Sequence, residues 1–145
     1  MWRRIENSGP WRWVVLIFLL APWVRGDDYE RLLYEKILPA LFHREPVVIY
    51  AEGDLASSLR GSRKLRLEEN CKEASVILTD KGTDELPPAC RKKPIFATSY
   101  RRYKQHTESI GAFYWRKGRP QLRFRIESLR RFGLSLPKSL EKFAQ

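Results

Sequence analysis

Three short apolar segments constrain the fold of this chain more than any other feature. Val47–Tyr50 reads VVIY, Ala74–Thr79 reads ASVILT and Pro94–Thr98 reads PIFAT. Each segment is rich in β-branched or aromatic side chains and lies between turn-forming or charged residues. Apolar runs of this length are typical of strands buried on both faces, as in parallel sheets covered by helices. The pattern therefore predicts an α/β fold with a core of βαβ units.

A further apolar region near the C-terminus predicts a β-hairpin. Ile110–Trp115 and Gln121–Ile126 flank a turn that contains Gly118, a residue that adopts turn conformations easily. The second segment alternates apolar side chains with Arg123 and Arg125, which is the period of a half-buried antiparallel strand. The overall expectation is a small mixed sheet with parallel core strands, a C-terminal antiparallel hairpin and helices on the faces.

The segments between these strands contain helix signals. The first, Asp27–Leu41, repeats Leu32, Leu33, Ile37 and Leu38 at helical spacing, and we predict that this side of the helix, which also holds Tyr29, is buried. An edge strand is predicted within Arg63–Leu67. Shorter helices are predicted at Leu55–Arg60, Ser128–Phe132 and Lys138–Ala144.

The N-terminus has the pattern of a secretory signal. Three arginines precede the apolar run Trp13–Val24, whose 12 residues fall short of the roughly 20 that a spanning helix needs. We predict a signal peptide over residues 1–26 with cleavage after Gly26, and a single domain over residues 27–145 in the periplasm or outside the cell. An uncleaved anchor and a buried core helix remain as alternatives.

Charge is distributed unevenly along the predicted mature domain. Residues 27–90 contain nine basic and 13 acidic residues, whereas residues 91–145 contain 15 basic and three acidic ones. A basic side attracts anionic partners such as acidic proteins or lipid surfaces. The hairpin predicts an exposed basic edge that would face such a partner, made of Arg116, Lys117, Arg119, Arg123 and Arg125.

Nucleic acid is a less suitable partner for this edge. The segment GAFYWRKG has the rings and cations of an RNA-binding strand, but their order differs from that motif and a second such strand is missing. Export would also remove the protein from most nucleic acid. We therefore expect no nucleic-acid binding.

Cys71 and Cys90 are the only cysteines. Two cysteines in an oxidising compartment usually pair, and we predict a disulfide between them. Free cysteines in separate buried places remain an alternative. Zinc needs three or four ligands at recognisable spacing, and the chain offers only His43 and His106 besides, so no metal site is expected.

No catalytic motif is present with convincing spacing. The sequence lacks a P-loop, a dinucleotide-binding glycine motif and the motifs of zinc proteases and serine hydrolases, so no cofactor is expected. His106 beside Glu108 is a weak acid–base candidate. Gly53 and Asp54 follow the first predicted strand, at the edge where ligands bind in parallel sheets, and form a candidate ligand edge.

The chain also resembles a known family over Val47–Ala144. The segments VVIYAEGD, CKEASVILT and PIFATS precede IGAFYWRKGRPQLRFRIESLRRFGLSLPKSLEKFA, whose strand, charged turn, strand, short helix, Gly-Leu step and final helix are similar to the end of the YfiR-like periplasmic family. The resemblance implies a compact periplasmic α/β domain that is not an enzyme. It also implies a regulator that binds the periplasmic part of a membrane signalling protein of the diguanylate cyclase type.

Dimers and disulfides are associated with that family, so a homodimer is a further expectation. Two other functions remain open at the level of sequence. One is a periplasmic solute-binding accessory domain with its site near Gly53 and Asp54. The other is a small hydrolase that uses a serine or histidine outside the known motifs.

Overall fold

The fold is a six-stranded mixed sheet with helical segments on both faces, seen in a computed structural model that describes residues 26–145. The strand order is β2-β1-β3-β4-β5-β6, and every neighbouring pair is parallel except the antiparallel β5–β6. The strands are β1 (Val47–Ala51), β2 (Leu65–Leu67), β3 (Val76–Thr79), β4 (Ile95–Ala97), β5 (Gly111–Arg116) and β6 (Arg119–Phe124). This architecture confirms the predicted α/β class and the C-terminal hairpin. The predicted signal peptide lies outside the described residues, apart from Gly26.

The helices differ from the sequence prediction mainly at their ends. The α-helices are α1 (Gly26–Phe42), α2 (Gly53–Leu59), α3 (Tyr100–Gln105) and α4 (Ile126–Arg131). Helix α1 continues past Pro39 to Phe42, and α4 begins two residues earlier than predicted. The segment Lys138–Phe143 is a 3₁₀ helix.

Gly133 terminates helix α4, two residues after its last helical residue, Arg131. Gly133 has a φ of 68°, which favours glycine, and its N–H donates to the Arg130 carbonyl at 3.0 Å. The N–H of Leu134 donates to the Leu129 carbonyl at 2.9 Å, which completes a Schellman motif.

The larger core lies on one face of the sheet. Helices α1, α2 and α4 cover this face, and the strands contribute alternate side chains, as the two-residue period of a strand requires. Buried residues of this core include Tyr34, Ile37, Leu38, Leu41, Ile49, Leu59, Leu78, Phe96, Phe113, Phe124 and Leu129.

Two smaller cores lie on the opposite face. Tyr50, Ile77 and Ile95 pack there against short 3₁₀ segments, and Ala112 and Tyr114 pack against α3. Among the helices of residues 26–145, none is both long and apolar enough to cross a lipid bilayer.

A disulfide joins Cys71 to Cys90 within the first of these smaller cores, which confirms the predicted pair. The bridge links the 3₁₀ helix before β3 to the 3₁₀ helix before β4, with a Cα–Cα distance of 5.0 Å. Closing a loop of 19 residues stabilises the folded state by about 3 kcal/mol in the chain-entropy model.

Candidate functional site

The strand order creates a crevice at the carboxyl edge of the sheet. From β1 the chain passes through α2 to β2 on one side, whereas β3 lies on the other side of β1 and leads on to β4. Ligands in such folds bind at this change of direction, outside the carboxyl ends of the strands. A ligand site is therefore expected in the region just after β1 and β3.

A cleft of about 390 Å³ lies at this position. Its lining includes Glu52, Gly53, Thr79, Lys81 and Thr98. Gly53 has a φ of 65° and begins α2 directly after β1. Asp54, the other predicted ligand residue, is exposed on α2, and its carbonyl accepts a hydrogen bond from Ser58.

The ionisable groups of this cleft bond to one another. The Tyr50 hydroxyl donates to Glu52, and Lys81 forms an ion pair with the same carboxylate. Burial raises the pKa of Tyr50 to about 12, and the hydrogen bond and charge of Glu52 add to the effect. The hydrogen bond from Lys81, followed by that from Tyr50, lowers the pKa of Glu52. These pairings leave Glu52 ionised and engaged, which makes it a poor general base.

The predicted acid–base candidate takes a structural position. His106 Nδ1 lies 2.8 Å from the Ser109 hydroxyl, and that hydroxyl belongs to a side chain with no exposed surface. Burial lowers the pKa of His106. Glu108 pairs with Arg131 at 3.4 Å. Because Ser109 is fully buried, this serine–histidine contact offers no nucleophile to a substrate.

An exposed aromatic patch lies at the same carboxyl edge, on the α1 face. It consists of Tyr29, Leu32 and Trp115, which are 38%, 58% and 44% exposed. The rings of Tyr29 and Trp115 have centroids 5.5 Å apart, and Trp115 Nε1 donates to Glu30 at 3.2 Å. Leu32 lies three residues from Tyr29, so the two are neighbours on the surface of α1.

A second cleft joins the aromatic patch to the first cleft. It measures about 190 Å³ and is lined by residues that include Glu30, Phe113 and Trp115. It shares Leu55 and Thr98 with the cleft after β1 and β3. The carboxyl edge is thus one continuous surface, polar at the strand ends and aromatic beside α1.

The predicted buried side of α1 is confirmed at Ile37 and Leu38 and was wrong at Tyr29 and Leu32, which are exposed. The buried stripe also includes Tyr34, and Leu32 projects to solvent. The sequence signal was present but ambiguous, because consecutive apolar residues (Leu32, Leu33 and Tyr34) allow more than one stripe on a helix.

The predicted basic edge is only partly an exposed edge. Arg116, Lys117 and Arg119 are exposed at the hairpin tip, where Lys117 and Gly118 have φ values of 51° and 73°. Positive φ at both central residues is the mark of a type I′ turn. Arg123 is half-buried, and its guanidinium donates to the Leu122 carbonyl and the Gln121 side chain.

Arg125 is not part of an exposed edge, which corrects the prediction. Its guanidinium donates to the carbonyl of His106 at 2.7 Å and to that of Tyr103, and it lies 3.8 Å from the centre of the Tyr103 ring. Strand β6 ends at Phe124, so the alternation of exposed and buried positions stops before Arg125. The residue instead ties α3 to the start of α4.

Comparisons with known proteins support the fold alone. No family model matches the chain, and no curated protein matches it. A crystal structure described as a conserved domain protein from Vibrio cholerae O1 biovar eltor strain N16961 is similar with a TM-score of 0.56 and 10% sequence identity. The match covers 82% of this chain and 58% of that one, so this chain spans less than two thirds of its neighbour.

Proposed function

We propose that the protein is an exported, non-enzymatic regulator that binds the periplasmic part of a membrane signalling protein through the aromatic patch. The class of partner comes from the resemblance to YfiR-like regulators, in which it is a diguanylate-cyclase-type protein. The patch supplies a surface on which such a partner could dock.

The exposure of Trp115 is the observation that carries the proposal. Tryptophan and tyrosine are enriched in protein interfaces, where they contribute a large share of the binding energy. Contacts with Tyr29 and Phe113 and a hydrogen bond to Glu30 hold Trp115 in place. A ring fixed before binding loses little conformational entropy on association, which favours affinity.

The cleft after β1 and β3 supports a second candidate, a solute-binding domain. Its position at the change of strand direction favours this function. Against it, Tyr50, Glu52 and Lys81 already satisfy one another, so a polar solute would have to displace contacts within the protein. We therefore place partner binding first.

A comparison of two serine variants tests the proposal. We expect the protein to recover one membrane protein from detergent-solubilised membranes, and Trp115→Ser to reduce that recovery at least about tenfold, the usual scale of an interface anchor. Phe132→Ser is the matched control, because Phe132 is an exposed ring of the described region that lies outside the patch.

The experiment is run with the disulfide intact and reduced. If both variants recover the same membrane protein equally well, binding does not use the aromatic patch. If the wild type recovers no membrane protein in either redox state, the regulator function is wrong.

A further inference from the structure

A cleft on the opposite face of the sheet has a different chemistry. It measures about 310 Å³ and lies between α3 and the strands β5 and β6. Four cationic side chains line it, namely Lys104, Arg116, Arg123 and Arg125. In the described part of the chain, no aspartate or glutamate is among its lining residues. We call it the basic cleft.

The charge of the basic cleft is not balanced by nearby carboxylates. Other arginines and lysines of the domain form ion pairs, among them Arg31, Lys81 and Arg131. Within residues 26–145, none of the four cleft cations has a carboxylate oxygen within 4.0 Å. Like charges gathered in one concave site create a positive potential that attracts and retains anions.

Part of this cationic set is fixed in advance. Arg125 is held by two backbone carbonyls and the Tyr103 ring, and Arg123 by a carbonyl and an amide oxygen. A guanidinium carries five N–H donors, and these bonds use two of them on each residue. Both arginines therefore retain donors for a ligand, and neither loses much side-chain freedom when one binds.

An aromatic wall completes the cleft. Tyr100 is 45% exposed, its ring centroid lies 5.4 Å from that of Tyr114, and the Arg116 guanidinium lies 5.6 Å from the Tyr100 ring. A ring and a guanidinium beside one another can hold the planar part of a ligand while cations bind its charge. The volume of about 310 Å³ is suited to a small molecule.

We propose that the basic cleft binds a small phosphate-bearing ligand with a planar group beside its phosphate. Phosphate oxygens accept several charge-assisted hydrogen bonds at once, and arginine forks match their geometry. The cleft lies on the face opposite the large core and α1, so this inference does not depend on the aromatic patch or its partner.

Titration calorimetry with phenyl phosphate tests the proposal on the purified protein. We expect one saturable site, with inorganic phosphate binding more weakly because it lacks the ring. The variant R116Q/R123Q should weaken binding at least about tenfold, the scale of losing a single hydrogen bond to a charged group. Arg125 is left unchanged because it also holds α3 in place.

The control variant is R130Q/K138Q. It removes the same net charge at two exposed positions that do not line the basic cleft. We expect its affinity for phenyl phosphate to stay within about twofold of the wild type, because distant surface charges act weakly through salt. Equal weakening in both variants would reduce the effect to overall charge and overturn the proposal.

Vesicles of phosphatidylcholine with phosphatidylglycerol identify the source of the phosphate. Binding to vesicles that R116Q/R123Q abolishes, without binding of phenyl phosphate, would assign the cleft to a lipid headgroup and would contradict the proposed small ligand with a planar group. Binding of phenyl phosphate assigns it to a soluble ligand. If neither binds, the cleft is not a phosphate site.

Discussion

Among single residues, Arg123 and Arg125 show that two arginines with similar positions in the sequence can have different roles in the fold. Arg123 and Arg125 lie two residues apart and look equivalent by alternation, yet only Arg125 donates to carbonyls of another segment, those of Tyr103 and His106 at the end of α3. The difference arises because β6 ends between them, at Phe124. Because Arg125 follows the last residue of β6, the direction of its side chain is set by the start of α4 and not by strand alternation.

We expect Arg125→Gln to lower the free energy of unfolding by about 2 kcal/mol, because two charge-assisted hydrogen bonds are lost or weakened. Arg119→Gln, at the exposed hairpin tip, should change it by no more than about 0.5 kcal/mol. Urea denaturation measures both values. Equal midpoints for the two variants would mean that the Arg125 contacts contribute nothing to stability.

His106 should make stability depend on pH. Burial places the pKa of His106 in the folded protein below the unfolded value of about 6.5. At pH values between these two pKa values, the unfolded chain binds more protons than the folded protein. The stability that neutral His106 contributes is therefore fully present above about pH 6.5 and is lost as the pH falls toward the pKa of the folded protein. We expect His106→Asn to lose less stability than the wild type between about pH 7.5 and 5. Parallel curves from denaturant melts would contradict this role.

At the scale of elements, the contact between β4, β5 and β6 depends on a residue without a side chain. A Cβ on Gly111 would lie 2.5 Å from the Arg123 carbonyl oxygen and 2.8 Å from the Phe96 ring. Gly111 begins β5 and pairs with Phe124 of β6. The close approach of these strands therefore requires glycine at this position.

We expect Gly111→Ala to lower the free energy of unfolding by about 1–3 kcal/mol, because the neighbouring backbone must shift. Gly118→Asn is the control. Nothing lies within 4 Å of a Cβ there, and asparagine tolerates positive φ. Thermal melts of the two variants test this prediction. A Gly111→Ala protein as stable as the Gly118→Asn control would show that the strands have room to adjust.

At the scale of the whole molecule, the sequence predicts the framework better than the surfaces. The buried parallel strands are recognisable because nearly all their side chains are apolar, and the cysteine pair because only two are present. The disulfide, the sheet class and the hairpin were accordingly confirmed.

The surfaces depend on residues brought together from distant segments. The basic cleft needs Lys104 of α3 beside Arg116 and Arg123 of the hairpin, and no local pattern specifies that neighbourhood. The aromatic patch needs the first turn of α1 beside the end of β5. Gly53 lines the cleft after β1 and β3, at the strand ends where a rule of topology predicts a ligand site, whereas Asp54 is not among the residues that line it.

Site-specific photo-crosslinking in living cells tests whether the aromatic patch docks on a membrane signalling protein. A photoreactive residue replaces Leu32 in the patch or, as control, Lys92, an exposed residue just before β4 and thus toward the opposite edge of the sheet. We predict one adduct with a membrane-embedded protein from position 32, its loss when Trp115→Ser is added, and no such adduct from position 92. The same adduct from both positions, or one from position 32 that survives Trp115→Ser, would show that the aromatic patch is not the docking surface.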